Sequence, residues 1–282
     1  MTVEPLAPLS PRTHRELLLA IDQLERESFV ARIAQVTGTP VDVAIKYLPR
    51  SVNQQLHETI KRAIVKCLDV AVNSLDVDED LGPPPPWVGK LLTGISGGIG
   101  GFFGIPALAL ELPVTTALML RSIAEIARDE GEDPQSFETR LACLEVFALG
   151  GGGPKGKNDL NLQYYAVRSL LSKLTRDLSR YVMERGSFNV SSPIVGRLVG
   201  EIASRFGFAV SNRAAASLVP VIGAIGGATV NVIFTDHFQR VARGHFVVRR
   251  LEREYGAALI RRRYAAAVAV SGPYRPRLEA AD

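Results

Sequence analysis

The chain has 282 residues, 46% of them apolar and 22% charged, which excludes wholesale disorder and allows one or two domains with a sizeable core. The net charge of +4 is unevenly spread: residues 1–154 carry 13 Lys/Arg against 20 Asp/Glu, whereas residues 155–282 carry 20 against 9. Two cysteines, Cys67 and Cys143, are too few for a disulfide scaffold and share no metal-ligand spacing, so no metal and no cofactor is implied.

In chain order, MTVEPLAPLSPRTHREL has neither the basic start nor the apolar run of a secretory signal, and cytoplasmic residence is the expectation. Ser10-Pro11 reads as an N-cap with proline at the first helical position, opening a helix through Leu17, Leu18, Ile21, Leu24, Phe29 and Ile33. Ser51 and Gln54 form a capping-box pattern ahead of Leu56, Ile60, Ile64, Leu68 and Val72. Residues 76–86, acidic and then prolyl, read as a stiff solvated linker.

Two stretches of about 20 residues carry no charge: Leu91 to Leu110 and Ala214 to Thr235. Both are rich in small residues at four-residue spacing (Gly97 and Gly101, Gly100 and Gly104, Gly223 and Gly227), which lets helix backbones approach closely. They read as core helices packed centrally, as segments that insert into or lie in a membrane, or as flexible loops. A homo-oligomer is left open.

Between them, Ala107 to Glu130 has a strong helical pattern, and Asp133-Pro134 reads as the cap of a helix that stops at glycines 150–153. A long helix is expected over Asn158–Glu184, with Leu162, Tyr165, Leu170, Leu174, Leu178 and Tyr181 inward. Another starts at Ser192-Pro193 and ends near Gly207, and Ser211 then caps the second uncharged stretch. A basic helical region follows over 236–267, and the tail from Gly272 reads as disordered. No alternating β pattern occurs, so the fold class is all-α, a bundle of about eight or nine helices.

Chemical signatures are sparse. Gly151 to Asn158 falls short of a P-loop, because Asn158 replaces the magnesium-binding hydroxyl and no strand precedes it. Glu111 shares a helix face, within about 40°, with Thr115, Leu118, Ser122 and Glu125, and Arg121 and Arg128 flank Glu125. His237 and Asn231 become acid-base or assisting partners of Glu111 if the glycine-rich segments pack together. Arg240, Arg243, Arg249, Arg250, Arg253, Arg261, Arg262 and Arg263 interleave with Phe246, Val247, Leu251, Tyr255 and Leu259. That pattern suits an amphipathic helix on an anionic membrane surface, with a nucleic-acid backbone as the competing partner.

Thr93 to Asp133 and Val219 to Gly256 together resemble the EcsC family. The resemblance rests on the run Gly97, Gly98, Gly100, Gly101 and Gly104, on Pro106, and on Glu111 before Leu112-Pro113, followed by Arg121 and Glu125. In the second block Pro220, Gly223, Gly226, Gly227, Asn231, Ala242 and Phe246 stand at the corresponding places. It implies a bacterial helical protein, sometimes associated with an ABC exporter, and brings no established reaction. The expected organisation is a helical extension over 1–50, an EcsC-like domain over 51–270 and a disordered tail over 271–282. The leading expectation is a membrane-associated accessory protein, peripheral or partly inserted, contacting an anionic bilayer or a membrane protein. A hydrolase-like enzyme using Glu111 and a nucleic-acid binder are the alternatives.

Overall fold

In the computed structural model, which describes residues 9–25, 29, 31–33, 50–73, 104–152, 163–185, 189, 191–217 and 227–271, Ser10 caps the first helix as its sequence position predicts. Its Oγ accepts the Thr13 amide at 3.1 Å and its carbonyl accepts the His14 amide. Eight bounded helices are described: α1 (Pro11–Glu25), α2 (Arg50–Asn73), α3 (Gly104–Asp129), α4 (Phe137–Gly151), α5 (Gln163–Arg185), α6 (Pro193–Ser217), α7 (Gly227–Tyr255) and α8 (Ala257–Ser271). Residues 29 and 31–33 are also helical, and no strand occurs among the described residues, so the fold is an all-α bundle.

Several expected boundaries move. α2 begins at Arg50, so Ser51 lies inside it rather than capping it. Asp133 does not cap α4; its Oδ1 accepts the Gln135 amide in a local turn, and Ser136 stands at the N-cap. α4 does stop within glycines 150–153 as expected, ending at Gly151 with a C-cap at Gly152. α6 passes unbroken through Gly207 and Ser211, because flanking buried residues, Phe206, Ala209 and Val210, outweigh the weak helix preference of one glycine. The basic C-terminal region is two helices, broken at Gly256 with φ +89°. The linker at 76–86, most of the glycine-rich stretch at 91–103, residues 218–226 and the tail from Gly272 lie outside the described residues.

α4 sits at the centre. Every residue from Leu141 to Ala148 is buried, which a helix achieves only when neighbours cover all its sides. α2, α3, α5, α6 and α7 surround it. The main core is built around Phe147, Phe206, Phe234 and Phe238, whose ring centroids lie 4.9–6.1 Å apart. Gly151 allows the closest approach: a Cβ there would lie 2.3 Å from the backbone of Arg205 on α6. Ala214, Ala215, Ala216, Val230, Ile233 and Phe234, which flank 218–226, are buried in this core. A smaller second core joins Leu17, Ala20 and Ile21 of α1 to Tyr164 and Tyr165 of α5, Val248 and Leu251 of α7, and Ile260, Tyr264 and Val268 of α8.

α5 departs from its expected face by one residue. Leu171 is fully buried, whereas Leu170 is 41% exposed; Tyr165 and Leu178 face inward as expected. Leu162 lies outside the described residues.

Candidate functional site

Gly97, Gly98, Gly100, Gly101, Pro220, Gly223 and Gly226 lie outside the described residues. Gly104, Pro106 and Glu111 belong to the first turns of α3 and Gly227 begins α7, but the side chain of Glu111 is outside the description. Pro113 is carried inside α3, and Arg121 pairs with Glu125 at 3.5 Å on the same helix. α3 and α7 run in the same direction, since Gln239 donates to Ser122 Oγ and Arg250 to Glu130. Glu111 lies eleven residues before Ser122, and His237 only two before Gln239. At 1.5 Å per residue the two are offset by about 13 Å along the helix pair, so the structure does not bring them together.

His237 is instead committed elsewhere. Its buried Nε2 bonds the Gly150 carbonyl at 2.8 Å, and burial lowers its pKa to about 4, keeping the ring neutral. Asn231, nearer the level of Glu111, has its Oδ1 buried and without a hydrogen bond among the described residues.

Four of the α7 arginines, Arg240, Arg249, Arg250 and Arg253, are used in ion pairs within the protein. Arg240 shares Asp236 with Arg32, at 3.4 and 2.7 Å. Arg250 reaches Glu130 at 2.7 Å and Glu16 of α1 at 3.0 Å. Arg249 and Arg253 both bind Glu132. Arg243, Arg261 and Arg262 are exposed and Arg263 is half-buried; the Arg261 guanidinium lies 5.4 Å from the Tyr165 ring centroid.

The Glu132 pairs with Arg249 and Arg253 border a cleft of about 470 Å³ where the α3–α4 turn meets α5 and α7. The turn is built by local chemistry. Gly131, at φ +74°, ends α3: its amide bonds the Arg128 carbonyl at 2.9 Å, and the next amide, of Glu132, bonds Ala127 at 3.0 Å. This paired closure needs a left-handed residue at Gly131 and turns Glu132 into the interior. The Glu132 carboxylate then accepts Arg249 Nε at 2.8 Å, Arg249 Nη2 at 3.0 Å, Thr139 Oγ1 at 3.1 Å and Arg253 Nη1. Burial alone would raise its pKa, but the Arg249 bonds and the two guanidinium charges outweigh it and hold the group below the usual carboxylate range.

On the opposite wall, Arg168 of α5 donates to Glu252 at 2.6 Å and to Tyr164 Oη at 3.2 Å. Tyr165 donates to the other Glu252 oxygen at 3.0 Å, and Tyr164 shares a 3.0 Å bond with His245 Nδ1. His245 Nε2 is buried and makes no hydrogen bond among the described residues. Burial, reinforced by Arg168 and Arg249, pushes the His245 pKa well below its ordinary value. Deeper still, Glu145 of α4 is 4% exposed, its nearest donor being Thr175 Oγ1 at 3.4 Å. Burial pushes its pKa up to about 7 despite the charges of Arg168 and Arg249. Among the described residues no group of three His, Cys, Asp or Glu could hold a metal ion.

Sequence reasoning did not single out Glu132, Glu145, Arg168 or Glu252. Glu145 did leave a signal, a lone carboxylate inside the otherwise apolar run LACLEVFAL. Glu132 follows a glycine at a helix end, but its arginine partners lie 117 and 121 residues away along the chain.

The architecture defines an all-helical bundle in which arginines of one long helix lock the others together. Residues 88–251, more than half of the chain, match the EcsC protein family, and the chain belongs to that family. It is also similar to the Uncharacterized protein YdbA of Bacillus subtilis (strain 168), with 27% identity over 188 residues, covering 66% of this chain and 58% of that relative. No solved structure gives a significant match. Helices α1, α2 and α8 lie outside the family match.

Proposed function

We propose that this EcsC-family protein is a membrane-associated accessory protein that docks peripherally on an anionic bilayer, through the outer face of α5 and the adjoining arginines of α8. The observation that supports this most is a row of exposed cations on α5. Lys173, Arg176 and Arg180 recur at helical spacing within a narrow arc and make no ion pair among the described residues. Met183 (84% exposed) continues the row and Leu170 flanks it. Arg261, stacked on Tyr165, and the exposed Arg262 extend the basic surface onto α8. Cations with interspersed apolar side chains suit headgroups and the acyl boundary together.

Among the described residues no helix is long and apolar enough to cross a membrane. The buried flanks of the second uncharged stretch favour a core role there over lipid contact.

Each cation near an anionic surface contributes about 1 kcal/mol. Replacing Lys173, Arg176 and Arg180 with Gln is therefore expected to weaken partitioning by about 3 kcal/mol, a factor on the order of 100. Co-flotation with phosphatidylglycerol-containing vesicles at low and high salt tests this. Binding to anionic vesicles alone, lost in high salt and in the triple variant, supports the reading. Absence of flotation, or equal flotation of the variant, refutes it.

A further inference from the structure

We infer that the cleft between the α3–α4 turn, α5 and α7 binds a small zwitterion, its phosphate or carboxylate against Arg168 and Arg249 and its cationic end between Asp133 and Glu138. The inner wall has spare donors. Arg249 spends Nε and Nη2 on Glu132 and Glu138, and Arg168 spends both Nη atoms on Glu252 and Tyr164. Arg249 Nη1 and Arg168 Nε make no bond among the described residues, and neither is sealed from solvent. Each side chain is only 15% exposed, and each is braced by a buried carboxylate that fixes the guanidinium plane. A braced arginine with free N–H groups is preorganised for an oxyanion.

Charge of both signs lines the cleft: the inner arginines Arg168 and Arg249 are matched by Glu252 and Glu132, and Arg253, 42% exposed, adds a cation nearer the solvent. At the mouth stand Asp133 and Glu138, both exposed, with Glu138 only loosely held by Arg249 at 3.4 Å. Those mouth carboxylates repel an anion that carries no cationic group but suit an ammonium. Two further observations indicate a site rather than a structural knot. Buried ion pairs contribute little net stability compared with an apolar replacement. The layer behind them, Tyr164, His245 and Glu145, adds more buried polar groups, including His245 Nε2, which makes no hydrogen bond among the described residues.

The test is calorimetric titration of the full chain with phosphoethanolamine, inorganic phosphate and ethanolamine at constant ionic strength. Phosphoethanolamine is expected to bind saturably and more tightly than phosphate, and ethanolamine not at all. The double variant D133N/E138Q removes only exposed charges, and Asn retains the acceptor for the Gln135 amide. It is expected to lose about tenfold in phosphoethanolamine affinity while binding inorganic phosphate at least as tightly as the parent protein. Flotation on phosphatidylethanolamine vesicles, beside phosphatidylcholine ones, identifies the source. Flotation that D133N/E138Q abolishes assigns the zwitterion to a lipid headgroup, whereas no preference with binding of the free compound assigns it to a soluble ligand. Absence of saturable phosphoethanolamine binding, equal binding of ethanolamine, or a double variant that binds phosphoethanolamine unchanged overturns the inference. These readouts do not depend on the α5 face.

Discussion

Replacing Glu145 with Gln is expected to make the protein more stable at alkaline pH and to leave it nearly unchanged at acid pH. Glu145 is enclosed on α4, with one long bond from Thr175, the cations Arg168 and Arg249 on neighbouring helices, and Glu138 on its own. Burial lifts its pKa from 4.5 to about 7. The folded state therefore holds this proton more tightly than the unfolded chain. Its contribution to stability is complete below pH 4.5 and is lost as pH rises through 7. A difference of about 2.5 pH units corresponds to about 3 kcal/mol. Gln has the shape of the protonated acid and never ionises, so E145Q escapes that loss. Urea unfolding of both proteins from pH 5 to pH 8.5 measures it, and the difference between them cancels the contributions of other titrating groups. The gap is expected to widen with pH toward about 3 kcal/mol in favour of the variant. A gap that stays constant with pH, or one that favours the parent protein at pH 8.5, would refute the reasoning.

Gly151→Ala places a methyl group 2.3 Å from the Arg205 backbone and is expected to cost about 2–3 kcal/mol by forcing α4 and α6 apart. Gly200→Ala, on the open side of α6, is expected to add about 0.5–1 kcal/mol through helix preference, and denaturant melts of the two compare them directly. Arg249→Gln leaves the buried Glu132 short of its fork partner and is expected to destabilise by about 3 kcal/mol. Arg262→Gln, exposed and unpaired among the described residues, is expected to shift thermal unfolding negligibly.

The all-α class and most helices could be read from periodicity, because burial of one face writes a 3.6-residue rhythm into the chain. The Ser10 cap was legible for the same local reason: donor and acceptor are three residues apart. The breaks at Gly207 and Ser211 were misread because tertiary burial of Phe206, Ala209 and Val210 overrides local preference. Leu170 and Leu171 are adjacent and chemically identical, so only the packing of α5 decides which of them is buried. The use of the basic C-terminal region was the least legible. Spacing shows where Arg249, Arg250 and Arg253 lie on a helix, but their partners Glu16, Glu130 and Glu132 come from distant segments that only the fold brings near. The cleft was invisible for the same reason. Glu145 alone could be suspected, as a carboxylate stranded among apolar neighbours.

Two displaced titrations in the core, those of His237 and Glu145, have opposite senses, and this shapes how folding exchanges protons with the solvent. His237 falls from 6.5 to about 4, so the unfolded chain binds that proton more tightly and stability declines as pH drops below 6.5. Glu145 does the reverse between 4.5 and about 7. In mildly acidic solution, each folding molecule releases a proton from an imidazole and takes one up on a carboxylate. The net exchange from this pair is close to zero. His245, which burial also pushes well below its ordinary value, adds a proton release that this pair does not cancel, so stability still declines as pH falls below 6.5. Removing either group alone would expose the slope that the other had been cancelling.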